Sequence, residues 1–354
     1  MARGLWYNKI HVKIKIIMSD KISMYGLSGS GKSCFIFAMS QALSQGVEFS
    51  NGELMTVITP DPRQMIKLYK AYEKMVKGFW PEGSTMSITY NFNVRKALEK
   101  MLEIEITDYR GGLLDSDDDD DIEEQDELFE SFNDSRVLLF FFGADTIKNA
   151  FEGDMSARFN FQHFNALYDT YLGSSPEASK TPVLFVISKA DILTPSELVK
   201  AKTFVKEQMK QFFGRGTNLT VGITAVSLGK NLSNYKGELE GELDIRACAG
   251  NLSIPMLFAL YNLMAERIES QIGSISSAQK DIDAGRSALG KELARSAFSR
   301  FFSNHESSIR SHITSSNQLL ASRKEELLKL ESSMSAIKSY LLSGAEIYFN
   351  GEKV

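Results

Sequence analysis

One short segment constrains this chain more than any other. Gly26-Leu27-Ser28-Gly29-Ser30-Gly31-Lys32-Ser33 satisfies G-x-x-x-x-G-K-[ST], with an apolar strand pattern before it and a helical pattern after it. Glycines at these positions let the backbone wrap closely around a ligand. The loop amides and the N-terminus of the following helix then face negative oxygens. The spacing therefore predicts a nucleoside-triphosphate site. Gly26, Ser28, Gly29, Ser30, Gly31, Lys32, Ser33 and Cys34 form its phosphate cradle. Lys32 reaches the β and γ phosphates, and Ser33 places its hydroxyl on Mg²⁺.

Downstream signals fall at the ends of predicted strands. Asp108-Tyr109-Arg110-Gly111 closes the run Leu102–Asp108. A carboxylate there can hold the magnesium shell, and the Gly111 amide can sense a γ-phosphate. Arg110 reads either as a cis charge stabiliser or as a surface arginine. Ser188-Lys189-Ala190-Asp191 closes Val183–Ser188. The Asp191 carboxylate can accept two hydrogen bonds from guanine, a pair that adenine cannot supply, while the Lys189 stem packs over the base. The last strand ends in Ala225-Val226-Ser227-Leu228-Gly229-Lys230, where an amide near Ser227 or Leu228 can touch the base oxygen. A threonine is also required over the metal. Thr85 is the candidate, with Ser84 and Thr89 behind it.

In this order, these motifs resemble those of Ras-like, translation-factor-related P-loop GTPases over residues 18–272. The stretch Trp80-Pro81-Glu82-Gly83-Ser84-Thr85 is similar to GTPases of prokaryotic conflict-system operons. The resemblance implies a mainly parallel α/β sheet flanked by helices, with GTP/GDP and Mg²⁺ as cofactors. It also implies a nucleoside triphosphatase acting as a switch. Two departures stand out. Gly112 occupies the place of a water-orienting glutamine, so hydrolysis is expected to be slow, and Ser188 replaces the residue that normally braces the phosphate loop. A P-loop ATPase and a non-catalytic interaction protein stabilised by nucleotide remain open alternatives.

The rest of the chain sets the frame. Hydrophobic residues make up 43% and charged ones 24%, an ordinary globular balance for 354 residues. Two cysteines, Cys34 and Cys248, with four scattered histidines indicate neither a zinc site nor a disulfide framework, which fits a cytoplasmic protein. Apolar runs such as Val137–Phe142 are too short to span a bilayer. Asp115–Glu130 holds eleven acidic residues and no basic one; without it, 34 acids face 40 bases. That segment, within an insert at 113–134, reads as a solvated insertion or as a docking strip for a basic partner. No basic run marks a nucleic-acid surface. Residues 1–17 read as an N-terminal extension, with Met18 as an alternative start.

Seven strands are expected: Lys21–Tyr25, Glu53–Thr59, Met86–Asn91, Leu102–Asp108, Val137–Phe142, Val183–Ser188 and Val221–Val226. Five helices separate and follow them: Ser33–Gln45, Gln64–Lys77, Ser156–Leu172, Pro195–Phe213 and Ile254–Ile272. From Gly273 onward the chain lacks proline, and Leu320, Leu327, Leu330, Met334, Ile337 and Leu341 keep a/d spacing. Residues 273–354 are therefore expected to form a helical extension that packs intramolecularly or joins a second copy or a protein effector.

Overall fold

The computed structural model describes residues 20–81, 86–111, 128, 130–131, 133–174, 180–217, 219–235, 238–293 and 305–354. Thr85, Ser84, Gly112 and nearly all of the acidic segment lie outside these residues.

The protein is built on a ten-stranded mixed sheet flanked by helices. Its centre is five parallel strands: β1 (Asp20–Tyr25), β5 (Glu99–Asp108), β6 (Val137–Gly143), β7 (Val183–Ser188) and β8 (Thr220–Ala225). They lie in the order β8-β7-β6-β1-β5. The middle strands are near-continuous apolar runs because both faces are covered. In β6, Val137, Leu139 and Phe141 point to one core, while Leu138, Phe140 and Phe142 point to the other. This is the period-two alternation of a strand.

On the second face lie α3 (Ala144–Phe151), α4 (Met155–Ser174) and α5 (Pro195–Gln208). Their core is rich in aromatics: Phe140 and Phe142 each meet Phe164 edge-on, and Phe161 stacks on Phe142 at 4.5 Å. On the first face lie α1 (Lys32–Ser44) and α6 (Ile245–Leu293), followed by α7 (His305–Gly344). α5 starts as its sequence dictates: Thr194 and Glu197 form a complete capping box, and Pro195 occupies the first turn.

Antiparallel strands extend both edges. On one side, β4 (Ile88–Lys96) pairs with β5, then β3 (Leu54–Ile58) and β2 (Val47–Glu48) follow. The expected Met86–Asn91 strand is longer here because Lys96 pairs with Glu99 across a tight turn at Ala97, whose φ is 50°. Charged ends hid that hairpin. α2 (Pro62–Val76) leads into β4 and is capped by Asp61, which accepts from the Arg63 amide. The helix expected to reach Phe213 instead ends at Gln208, and a 3₁₀ turn, Lys210–Phe213, continues it.

The other edge changes the reading of the C-terminal region. It was expected to be helical throughout, yet β11 (Ala345–Phe349) pairs antiparallel with β8, and β12 (Glu352–Lys353) folds back on β11. Nor does the fold break at 273. α6 runs through it as one helix, and Gly273 sits in the middle with nothing within 4 Å of an added Cβ. The composition shifts there because the helix leaves the sheet. Leu330, Ile337 and Leu341 of the a/d series are buried in the main core, so this part of the stripe is used within the chain. α6 is the one segment among the described residues that is long and apolar enough to cross a membrane. More than half of that window (61%) is buried inside the fold.

Candidate functional site

The chain runs from β1 to one side of the sheet and later to the other, so β1 lies between β5 and β6. A crevice forms at the carboxyl ends of strands at such a reversal, which is where open α/β sheets bind ligands. Here it is a cleft of about 490 Å³.

The loop after β1 forms its floor. Gly29 and Gly31 take left-handed φ values of 74° and 85°, which let the loop curl before α1 begins. A side chain at Gly26 would meet the Phe141 carbonyl at 2.8 Å. Lys32 is only 6% exposed, and its Nζ donates to the Gly26 carbonyl at 2.5 Å and to that of Leu27 at 3.4 Å. Burial holds its pKa below the usual lysine value, an effect that the Asp108 charge opposes.

Asp108 closes the inner wall at 1% exposure. Ser33 Oγ donates to its Oδ2 at 2.6 Å, while Oδ1 is buried without a partner among the described residues. Burial raises the carboxyl pKa, more than Lys32 and Ser33 lower it. A buried carboxylate oxygen with no donor is costly. A hydroxyl and one carboxylate, completed by phosphate oxygens and water, suit Mg²⁺. No cluster of three or more His, Cys, Asp or Glu occurs among the described residues, and this kind of site does not need one. Gly111 packs so tightly on the loop that an added Cβ would collide with the backbone of Leu27 and Ser28.

The far end of the cleft is made by the loops after β6, β7 and β8. Ala190 N–H donates to the Val226 carbonyl at 3.1 Å, and Val226 N–H to that of Ile187 at 2.8 Å, tying two of these loops together. Ser188 Oγ donates to the Ser30 carbonyl at 2.5 Å, so the serine does brace the phosphate loop. Lys189 takes φ 54°, and its Nζ bonds Asp145 Oδ2 at 2.5 Å. Asp191 accepts the Leu232 amide on Oδ2 at 2.6 Å. Burial raises its pKa, with the Leu232 amide, its own backbone amide and Lys189 opposing.

Of the residues expected from sequence, the cleft gathers Ser28, Gly29, Ser30, Gly31, Lys32, Ser33, Cys34, Asp108, Gly111, Lys189, Asp191 and Leu228. Gly26 lies beneath the loop and contributes its carbonyl to Lys32. Arg110 does not line the cleft; its amide is held by Ser87 Oγ at 3.3 Å. Ser227 faces a neighbouring hollow and meets Cys248 Sγ at 3.4 Å. Thr89 pairs with Thr107 at 3.1 Å inside the sheet, away from the cleft. Burial pushes the Cys34 thiol up to about 12, so it is not a nucleophile.

Sequence reasoning missed Asp145, Trp80, Pro81 and Leu232, all of which line the cleft. Asp145 follows β6 at its carboxyl end, a position that the strand-end rule marks. Leu232 left no local signal, because a hairpin brings it in. No family model matches the chain, and no curated protein matches it.

Proposed function

We propose that the protein is a Mg²⁺-dependent guanine-nucleotide switch of Ras-like type that hydrolyses GTP slowly unless a partner assists. One observation carries this reading. A single cleft holds the Lys32 loop and the Ser33–Asp108 pair at one end, and Lys189 with Asp191 at the other. The first end suits a Mg²⁺-bound triphosphate. At the second, a fixed carboxylate suits the two N–H donors of guanine. Gly111 lies against the loop, where a γ-phosphate would press on the Asp108–Gly111 turn and so couple nucleotide state to the surface. Arg110 stays outside the cleft, which supports slow intrinsic turnover.

Calorimetric titration of the full chain with GTP and with ATP, each with Mg²⁺, tests this. GTP binds more tightly. Asp191→Asn removes the preference, a loss of roughly 10- to 100-fold for hydrogen bonds to a charged group, and favours xanthosine nucleotides instead. Equal affinities of the unaltered protein for GTP and ATP sink the guanine reading. Indifference of an unselective protein to Asp191→Asn marks a P-loop ATPase.

A further inference from the structure

The hairpin of β9 (Gly229–Tyr235) and β10 (Glu238–Leu243) stands apart from the main sheet and packs on the 3₁₀ turn that carries Asp191. Its ladder is irregular at one place. Pairing shifts register between Glu240 and Glu242, opposite Asn231 and Leu232. Asn231 takes a left-handed φ of 51° and Gly241 one of 89°. Such a bulge re-aims the backbone and frees an amide from the ladder. The freed amide is that of Leu232, and it donates to Asp191 Oδ2 at 2.6 Å. The Leu232 side chain meanwhile lines the cleft beside Ile192 and Leu228.

We propose that the β9–β10 hairpin sets base choice in this cleft, with the Leu232 backbone amide as the positioning group that aims the Asp191 carboxylate at the base. The proposal rests on the reading of Asp191 as the guanine contact. Its physical basis is the softness of the aspartate side chain, whose terminal torsion has a broad energy profile. A partly exposed carboxylate would otherwise sample many planes. Two N–H donors of one base edge need a fixed plane. An ionised carboxylate has about four lone-pair sites, so the Leu232 amide on Oδ2, together with Asp191's own amide, can fix the group and still leave sites to accept. The Ser227 hydroxyl lies against Cys248 Sγ.

The proline scan of one position provides the test. Leu232→Pro removes the amide, and Leu232→Ala keeps it while trimming the side chain. The ratio of ATP to GTP dissociation constants, measured on the full chain with Mg²⁺, falls about tenfold or more in Leu232→Pro. In Leu232→Ala, which trims the cleft wall but keeps the amide, both nucleotides weaken alike and the ratio is kept. Gly241→Ala acts in the same direction as the proline, because its Cβ would collide with the carbonyls of Asn231 and Lys230. It supplies the measurement if circular dichroism shows that the proline variant does not fold.

A pH profile separates aiming from general damage. The charge that acts on Asp191 is Lys189 on its own loop, itself paired with Asp145 after β6, while Lys230 on the hairpin lines the hollow that Asp191 also borders; all three remain in every variant. Removing the Leu232 amide removes a group that favours the carboxylate, so GTP affinity is lost at a higher pH than in the unaltered protein. Unchanged selectivity and an unchanged profile in Leu232→Pro or Gly241→Ala overturn the role of the hairpin alone. So does an equal loss in Leu232→Ala. No preference for GTP in the unaltered protein overturns the guanine reading and this proposal with it.

Discussion

At the scale of single residues, Asp108 carries the most stored cost. Its folded pKa is raised above the ordinary 3.8 by burial, so the folded state holds a proton that the unfolded state releases. Stability without metal therefore falls as pH rises from 3.8 through the raised value. Asp108→Asn removes that slope. It is expected to raise the stability of the metal-free protein at neutral pH by about 1–3 kcal/mol, while abolishing stabilisation by Mg²⁺ with GTP. Thermal melts with and without ligand show both effects. A destabilised Asp108→Asn protein that still gains from Mg²⁺ contradicts this account. Gly111 is constrained by space rather than charge. Gly111→Ala drives a methyl group into the backbone of Leu27 and Ser28. A strain of about 1–3 kcal/mol is expected to appear as roughly 5- to 150-fold weaker nucleotide binding in titration.

At the scale of elements, α6 can lie close to the sheet because β8 carries a glycine. A Cβ at Gly222 would meet Leu184 at 2.5 Å, and Ile347 and Phe258 each at 3.1 Å. Gly222→Val therefore overpacks the junction of β8, β11 and α6. The expected cost is about 1–3 kcal/mol, read as a lower urea midpoint with the slope unchanged. The same junction shows why a strand at 345–349 escaped a reading by pattern. Ala345 and Ile347 face the core while Glu346 and Tyr348 face α5, and five residues after a 40-residue helix carry little periodicity.

At the scale of the whole molecule, β11 ties the C-terminal region to the main sheet and to α5. Glu346 accepts from Lys206 Nζ at 3.2 Å and from the Tyr348 hydroxyl at 2.9 Å, with Lys202 at 3.7 Å. Burial pushes its carboxyl up, but Tyr348 and Lys206 pull harder, and the net pKa lies below 4.5. Its contribution is thus complete above the ordinary range and is lost as pH falls through the folded value. Glu346→Gln should cost roughly 1 kcal/mol or less at neutral pH and flatten the acid limb of the stability curve. An acid limb identical to that of the unaltered protein would exclude this cluster as its source.

The sequence by itself determined the glycine-rich loop after β1, the carboxylate at the end of β5 and the places of the seven strands it marked along the chain, because each depends on a local pattern. Glycines are favoured where φ is positive, as at Gly29 and Gly31, and apolar runs where both faces are covered. Tertiary structure alone decided three other things. It placed Arg110 and Ser227 outside the cleft, it brought Asp145 to Lys189, and it carried the Leu232 amide to Asp191 across 41 positions. It also turned only the end of the expected helical extension, Ala345–Phe349, into a strand of the main sheet. These outcomes depend on contacts between residues far apart in the chain, and the energy of such a contact leaves no trace in the spacing of either partner.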